Sequence, residues 1–408
     1  MVFLGLSVYF LFSGLWFCFF LVIYIFFGLN IMSWSGEFFF FDSGVYLVMV
    51  YMSVFIVFLV VMREKVGPVV FLSELLVLVC LFFFFSVNML MLYIFFELSI
   101  FPILIMILGY GAQIEKVGAC YYLIFYAVLC SSPFLCVYLY GGFMLFYVYY
   151  DVFVSWEVLI FLMLCFLIKF PVYFLHLWLP KAHAEAPTVG SMLLAGLLLK
   201  LGTVGYLRLL GLVSGMSVYF CLVLGLLGMV LGSFLCLLQS DVKSIIAYSS
   251  VVHMSFVLLV LCLVCGFGKL SGVLMMLSHG YVSTMMFYLI GEFYHILGTR
   301  MMMFISGLMV SSMMVSYVFI MVFLCNSGIP PSVSFFSEFI GVVNVFYMIW
   351  GLFFFLFFYF FVGFYFTFFV LTSGLMGFIY SSFLLWFGLY VVPGLIMMMN
   401  MFWIVVLL

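Results

Sequence analysis

The sequence predicts an all-α polytopic membrane protein with about thirteen transmembrane helices. Three observations carry that prediction. Of 408 residues, 71% are hydrophobic and 5% charged, with a mean hydropathy of +1.55. So few charges cannot coat the surface of a water-soluble core. Backbone polar groups in lipid must be satisfied internally, which allows helices or closed barrels. The apolar runs here are long and continuous, whereas barrel strands would alternate apolar and polar residues.

Allowing roughly 30 residues for a helix with its turn, the spans fall near 2–29, 41–62, 68–86, 88–109, 118–140, 153–179, 187–210, 216–239, 241–265, 270–297, 308–349, 350–376 and 383–406. The first stretch lacks a charged leader region and a cleavage signal, so it reads as a retained span. The fourth carries Pro102, which deprives the carbonyl of Leu98 of its partner beside Glu97. In the sixth, Pro171 does the same to Leu167, two residues before Lys169. The eleventh is too long for one plain helix, and Pro330 and Pro331 of NSGIPPS interrupt it. Broken helices with ionisable groups at the break are a transporter device, and one in each half points to an inverted repeat.

Basic residues set an orientation. Connections following even-numbered helices carry Arg63, Lys65, Lys116, Lys181, Lys243 and Arg300; those following odd-numbered helices carry Arg208 and Lys269. This bias puts the N-terminus inside and, with thirteen spans, the C-terminus outside.

Four ionisable residues stand isolated in apolar sequence: Glu97, Lys169, Lys200 and Glu338. A lysine at mid-membrane costs roughly 2.5–3.5 kcal/mol on insertion scales, so such residues mark ion pathways. A buried lysine holds or releases a proton according to whether an acid is near, and Glu97 is the candidate acid for Lys169. A static Glu–Lys pair that fixes helix packing is the alternative. His176 follows Lys169 by seven residues, two turns along one helical face, and His183 follows by seven more. His253 and His279 lie mid-span in neighbouring helices. Each histidine reads equally as a core hydrogen-bonder or as a proton relay. Glu338 follows the double proline by seven residues and reads as a terminal proton site rather than an acid satisfied by freed backbone donors. His295, beside Glu292 and Tyr294, reads as interfacial. Glu74 and Glu157 carry no assignment. Glu37, Asp42, Asp151, Arg63, Glu64 and Lys65 read as solvated connections, and the Phe-rich run 353–369 as lipid-facing or packing surface.

Other classes are disfavoured. A net charge of −2 with no basic patch gives no support for nucleic-acid binding. Gly268-Lys269 is followed by Leu270, so it is no P-loop. Among eleven cysteines only Cys262 and Cys265 form a CxxC, which supplies too few ligands for a zinc or iron–sulfur site. No spacing suits haem, so no cofactor or metal is expected on this chain.

The block KFPVYFLHLWLPKAHAEAPTVGSMLLAGLLLKLG, 169–202, resembles the signature of the antiporter-like membrane subunits of respiratory complex I and of Mrp-type cation/proton antiporters. QSDVKSIIAYSSVVHMSF (239–256), FFELSIFPIL, LSHGYVSTMMFYLIGEFY and NSGIPPSVSFFSEF are similar to the same family, across about 90–340. The 59 Phe and 31 Met favour a mitochondrially encoded member. The resemblance implies two inverted five-helix repeats, about 68–210 and 216–376, flanked by helices at about 2–62 and 383–406. It implies that Glu97 pairs with Lys169 at the broken helix and that Lys200 is the central lysine of the following helix. His253 and His279 would then lie on a central polar axis, and Glu338 at the second broken helix. It also implies proton translocation across the mitochondrial inner membrane, N-terminus toward the matrix and C-terminus toward the intermembrane space. The coupled electron transfer from NADH to ubiquinone, with its FMN and iron–sulfur clusters, would belong to other subunits. Expected partners are the other membrane-arm subunits, especially neighbouring antiporter-like ones, and phospholipids including cardiolipin. The family usually has fourteen spans with Glu97 in the fifth; here it is in the fourth, a shortening that resembles nematode versions. The competing functional readings are a sodium-driven Mrp-type antiporter and a static membrane scaffold.

Overall fold

The computed structural model describes residues 44–64, 66–86, 88–140, 155–210, 215–311, 313–330 and 332–377. The predicted spans 2–29 and 383–406, and Glu37, Asp42, Lys65, Asp151 and Pro331, lie outside these residues. Within them the chain is helical, and eight helices are long and apolar enough to cross a membrane. Many serines turn their hydroxyls onto carbonyls of their own helix, as Ser53, Ser250 and Ser255 do at 2.6–2.7 Å. In lipid this satisfies a polar side chain without a partner helix.

Contacts divide the described residues into two compact units, one holding those up to 171 and those of 177–217, the other holding 172–176 and those from 218 onward. The first holds α1 (Gly44–Arg63), α2 (Gly67–Phe85), α3 (Met89–Leu98), α4 (Ile100–Tyr110), α5 (Lys116–Tyr140), α6 (Trp156–Lys169), α7 (Trp178–Glu185), α8 (Thr188–Leu193) and α9 (Leu199–Leu209). Pro68 opens α2, where its missing N–H costs nothing. A single turn residue, Ser99, separates α3 from α4, and together they form one 22-residue span. The predicted 153–179 span stops at Lys169: Phe170 is extended, and the chain turns through 171–177 before α7. Phe174 sits there at φ 76, a left-handed conformation disfavoured for an aromatic residue. A π-helical turn, Leu194–Leu198, joins α8 to α9. The core of this unit is α6 against α5 on one side and α9 on the other. Gly202 makes the α6–α9 approach possible. A Cβ there would lie 2.9 Å from the Lys169 carbonyl carbon and 3.0 Å from the Phe166 oxygen.

The second unit holds nearly all of α10 (Gly215–Leu237), then α11 (Val242–Cys262), α12 (Gly266–Leu297), α13 (Leu308–Ser311), α14 (Met313–Asn326), α15 (Val333–Met348) and α16 (Phe353–Leu375). At 32 residues, α12 is about 48 Å long at 1.5 Å per residue, well beyond a hydrocarbon core of roughly 30 Å. It packs against α11 and α15 and ends on Gly298 at φ 71, the left-handed cap that glycine accepts without strain. The predicted 308–349 span divides at 327–332, and Ser332 caps α15 by accepting from Phe335 N at 3.3 Å.

Two basic residues assigned to connections are buried in helices instead. Lys243 is buried in the first turn of α11. Arg208 is buried in α9 and reaches the C-terminal end of α2. Its Nη1 donates to Ser86 O at 2.8 Å and Ser86 Oγ at 3.0 Å, and its Nη2 donates to Phe84 O. Phe84 and Ser86 carbonyls have no helical donor at the end of α2, and a guanidinium fork meets several at once. Arg208→Ala should therefore lower the thermal stability of the protein by about 3 kcal/mol, since hydrogen bonds to charged groups contribute roughly 1.5–3 kcal/mol each. Arg208→Lys should restore only part of it. Calorimetry that finds both variants as stable as the parent would contradict this role.

Candidate functional site

In the first unit the site forms where two helices break. Pro102 cannot donate to Leu98, and Pro171 cannot donate to Leu167, so each break leaves carbonyls to be satisfied otherwise. Trp178 Nε1 takes one, donating to Ile168 O at 3.1 Å. Lys169, the last residue of α6, takes another. Its ammonium donates to Phe96 O and, at 2.8 Å, to Ser99 Oγ, and it lies 3.6 Å from the centroid of the Phe96 ring. Ser99 Oγ itself donates to Phe96 O at 2.6 Å.

Glu97 is half-buried on the same helix end. Its carboxylate hydrogen-bonds the Ser131 side chain and interacts with Lys169 through space. Ser131 also hydrogen-bonds Tyr93. Glu97 Oε1 is buried and has no hydrogen-bond partner among the described residues. The direct partners of Lys169 are thus a carbonyl and a hydroxyl, with the carboxylate nearby rather than clamped to it. A cavity of about 20 Å³ with almost wholly apolar walls is lined by Ile168, Lys169, Trp178, Tyr126 and Leu198 among others.

Lys200 is fully buried in α9, and its ammonium donates to Ala195 O at 2.5 Å. Ala195 lies in the π-helical turn, whose wider ring loosens the carbonyl ladder, a feature common at functional sites. His183 is fully buried in α7. Glu74, unassigned from sequence, is also buried, and its Oε1 has no hydrogen-bond partner among the described residues. Glu157 is exposed.

His176 departs from its expected setting. The extended Phe170 ends α6, so the seven-residue spacing from Lys169 does not put the two on one helical face. His176 instead belongs to the second unit. There its ring stacks on Tyr173 at 5.1 Å and meets Tyr248 of α11 edge-on at 6.0 Å.

The second unit brings three other candidates together. His253 of α11 and His279 of α12 lie 5.8 Å apart, centroid to centroid. His253 Nδ1 is 3.9 Å from Glu338 Oε1 and also hydrogen-bonds Asn326. Gly328, at φ 71 in the α14–α15 break, leaves the space that the Glu338 carboxylate occupies; a Cβ there would lie 3.1 Å from its carboxyl carbon. Ser334 Oγ takes the Cys325 carbonyl at 2.7 Å. Tyr359 completes the group: its hydroxyl donates to Glu338 Oε1 at 3.1 Å. Sequence reasoning passed over Tyr359, reading its Phe-rich run as lipid-facing or packing surface. Phe354, Phe357 and Phe361 are indeed exposed, but Tyr359 is 3% exposed. Tyr359 is one of three hydroxyls in that run, with Tyr365 and Thr367, and the sequence does not distinguish it from them. Asn326, at the break itself, was also missed. His295 is exposed.

Spanning helices broken where buried ammonium, carboxylate and imidazole groups gather define a class: polytopic membrane proteins that move ions. Residues 86–367 match the transmembrane family NADH:quinone oxidoreductase/Mrp antiporter, and the chain belongs to this family. It is 51% identical over 402 residues to NADH-ubiquinone oxidoreductase chain 4 of Caenorhabditis elegans, covering 98% of each chain. It is 52% identical over 397 residues to the protein of that name from Ascaris suum, covering 97% of each. Among solved structures, a chain of respiratory complex I from Thermus thermophilus superposes with a TM-score of 0.86. The two are 20% identical over 98% of this chain and 92% of that one. A chain of the membrane-bound sulfane sulfur reductase, an archaeal respiratory membrane complex, superposes at 0.82 with 21% identity and the same coverage. At these identities the likeness concerns the fold.

Proposed function

We infer that this chain is an antiporter-like membrane-arm subunit of mitochondrial respiratory complex I. It translocates protons across the inner membrane, coupled to electron transfer from NADH to ubiquinone in other subunits. NADH, FMN, iron–sulfur clusters and ubiquinone belong to those subunits, and this chain supplies groups that hold and release protons. One observation carries the reading: a lysine ammonium sits on a helix break, docked on a carbonyl and a hydroxyl, with a half-buried carboxylate in its field. An ammonium so placed can exchange a proton, whereas a clamped pair would resist it.

The relay we propose comprises Glu97, Lys169, Lys200, His176, His183, His253, His279 and Glu338. The helices at Lys169 and at 327–332 are read as the broken helices of two inverted five-helix repeats, within thirteen spans overall. The division of the chain near residue 217 supports that reading. The matrix-side N-terminus and intermembrane-space C-terminus follow from the basic-residue bias. That bias persists with Arg208 and Lys243 set aside as buried. Neighbouring antiporter-like subunits and phospholipids, cardiolipin among them, are the proposed partners.

The test is mild solubilisation of native membranes, native electrophoresis, and location of this chain against an in-gel NADH dehydrogenase stain. Co-migration with a large active band is expected. Migration of the intact chain apart from any NADH-oxidising band would favour a stand-alone Mrp-type antiporter, and sodium-dependent proton exchange would be measured next.

A further inference from the structure

The second unit contains a gap that the proposed relay leaves open. His253 Nδ1 and Glu338 Oε1 stand 3.9 Å apart, beyond the reach of a hydrogen bond between nitrogen and oxygen. No proton passes directly between them at that separation. The Tyr359 hydroxyl lies beside both: it is 3.1 Å from Glu338 Oε1 and 3.5 Å from His253 Nδ1, the second a long contact that must shorten by a few tenths of an ångström before a proton crosses it. A phenol both donates and accepts, so this one oxygen can face both groups at once.

We propose that Tyr359 is a proton-transfer residue whose hydroxyl bridges His253 and Glu338. The inference rests on the relay reading given above. In the forward step the Nδ1–H bond of protonated His253 breaks and its proton binds the Tyr359 oxygen. The O–H bond of Tyr359 breaks in concert, and that proton binds Glu338 Oε1. Imidazolium and carboxylate become imidazole and carboxylic acid, and the phenol is neutral before and after. Rotation about the C–O bond, or passage in reverse, resets the hydroxyl. Tyr359 suits the part because its ring is held in place. It stacks on Phe256 at 5.9 Å with 12° between planes, and it is buried. A cavity of about 20 Å³, lined by His253, Asn326, Glu338 and Tyr359 among others, borders the bridge. It has room for a water molecule, so the competing arrangement is a water that carries the proton past an inert tyrosine.

Tyr359→Phe removes one oxygen and keeps the stacked ring. In the assembled complex, reconstituted in vesicles, proton translocation through this subunit is expected to fall by roughly 100-fold, the low end for a positioned proton-transfer group. The readout is protons moved per NADH oxidised. Tyr359→His, which again places a donor and acceptor there, should recover much of the loss; a group that merely holds Glu338 in place would not be replaced in this way. Glu338→Gln is measured alongside. Normal pumping in Glu338→Gln would remove the relay reading itself. Impaired pumping in Glu338→Gln with normal pumping in Tyr359→Phe would overturn the tyrosine bridge alone and favour water. A histidine variant no better than the phenylalanine one, or a phenylalanine variant that fails to assemble, would make the hydroxyl structural and also overturn the proposal.

Discussion

Lys169→Ala should abolish proton translocation through this chain while the complex still assembles. The ammonium is the one group that reaches Phe96 O and Ser99 Oγ together, and it is the cation within the field of Glu97. Alanine leaves no ammonium there to bind or release a proton, and Glu97 loses its cation. Lys169→Arg is the informative companion. A guanidinium keeps the charge and can satisfy the same carbonyl, but it does not deprotonate in proteins. Arginine should therefore keep assembly and stability at the parent's level without restoring pumping. Unchanged proton-to-electron stoichiometry in assembled Lys169→Ala would exclude an essential relay role for this residue. Full pumping with arginine would mean that a fixed positive charge suffices, as in a static ion pair. Glu97→Gln should impair pumping as well, since it removes the negative partner while keeping the shape and the hydrogen bond to Ser131.

Gly202→Val is expected to have the largest effect on assembly. The Cβ of any other residue would press on the backbone of Lys169 and Phe166, where no side-chain rotation relieves the contact. Overpacking a core side chain costs about 1–3 kcal/mol, and a backbone collision at a helix break should reach or exceed the top of that range. Losses of that size change protein abundance several-fold in cells. The measurement is the amount of assembled complex on native gels. A normal amount, with the parent's thermal stability, would show that α6 and α9 can separate without consequence. Because α9 also carries Lys200 and Arg208, displacing it would disturb two more polar anchors.

Much of the fold was legible because it depends on local chemistry. Apolar runs of spanning length, Pro102, Pro171 and the NSGIPPS stretch are facts about neighbouring residues, and the breaks at Ser99, Phe170 and 327–332 fall where those facts put them. The rarity of charge in this composition made Glu97, Lys169, Lys200 and Glu338 conspicuous. Three readings went astray where a local rule met long-range packing. The helical register from Lys169 to His176 assumed that the helix continues through Pro171, and it does not. Arg208 was counted with a connection because it closes an apolar run, yet its guanidinium is drawn onto carbonyls at the end of α2 more than 120 residues away in sequence. Tyr359 was hidden because a phenol at helical spacing among phenylalanines looks like one more aromatic.

By itself, then, the sequence determined that this is a membrane-embedded helical protein, where its helices break and which ionisable groups stand isolated in apolar runs. Those outcomes follow from hydropathy, from the missing N–H of proline and from the cost of charge in lipid, all of which act on short segments. Tertiary structure alone decided what each buried charge touches: Lys169 a carbonyl and a hydroxyl, Lys200 the carbonyl of a π-helical turn, Glu338 the hydroxyl of Tyr359. A hydrogen bond forms or fails over a few tenths of an ångström, and helices distant in sequence reach that proximity only when they pack.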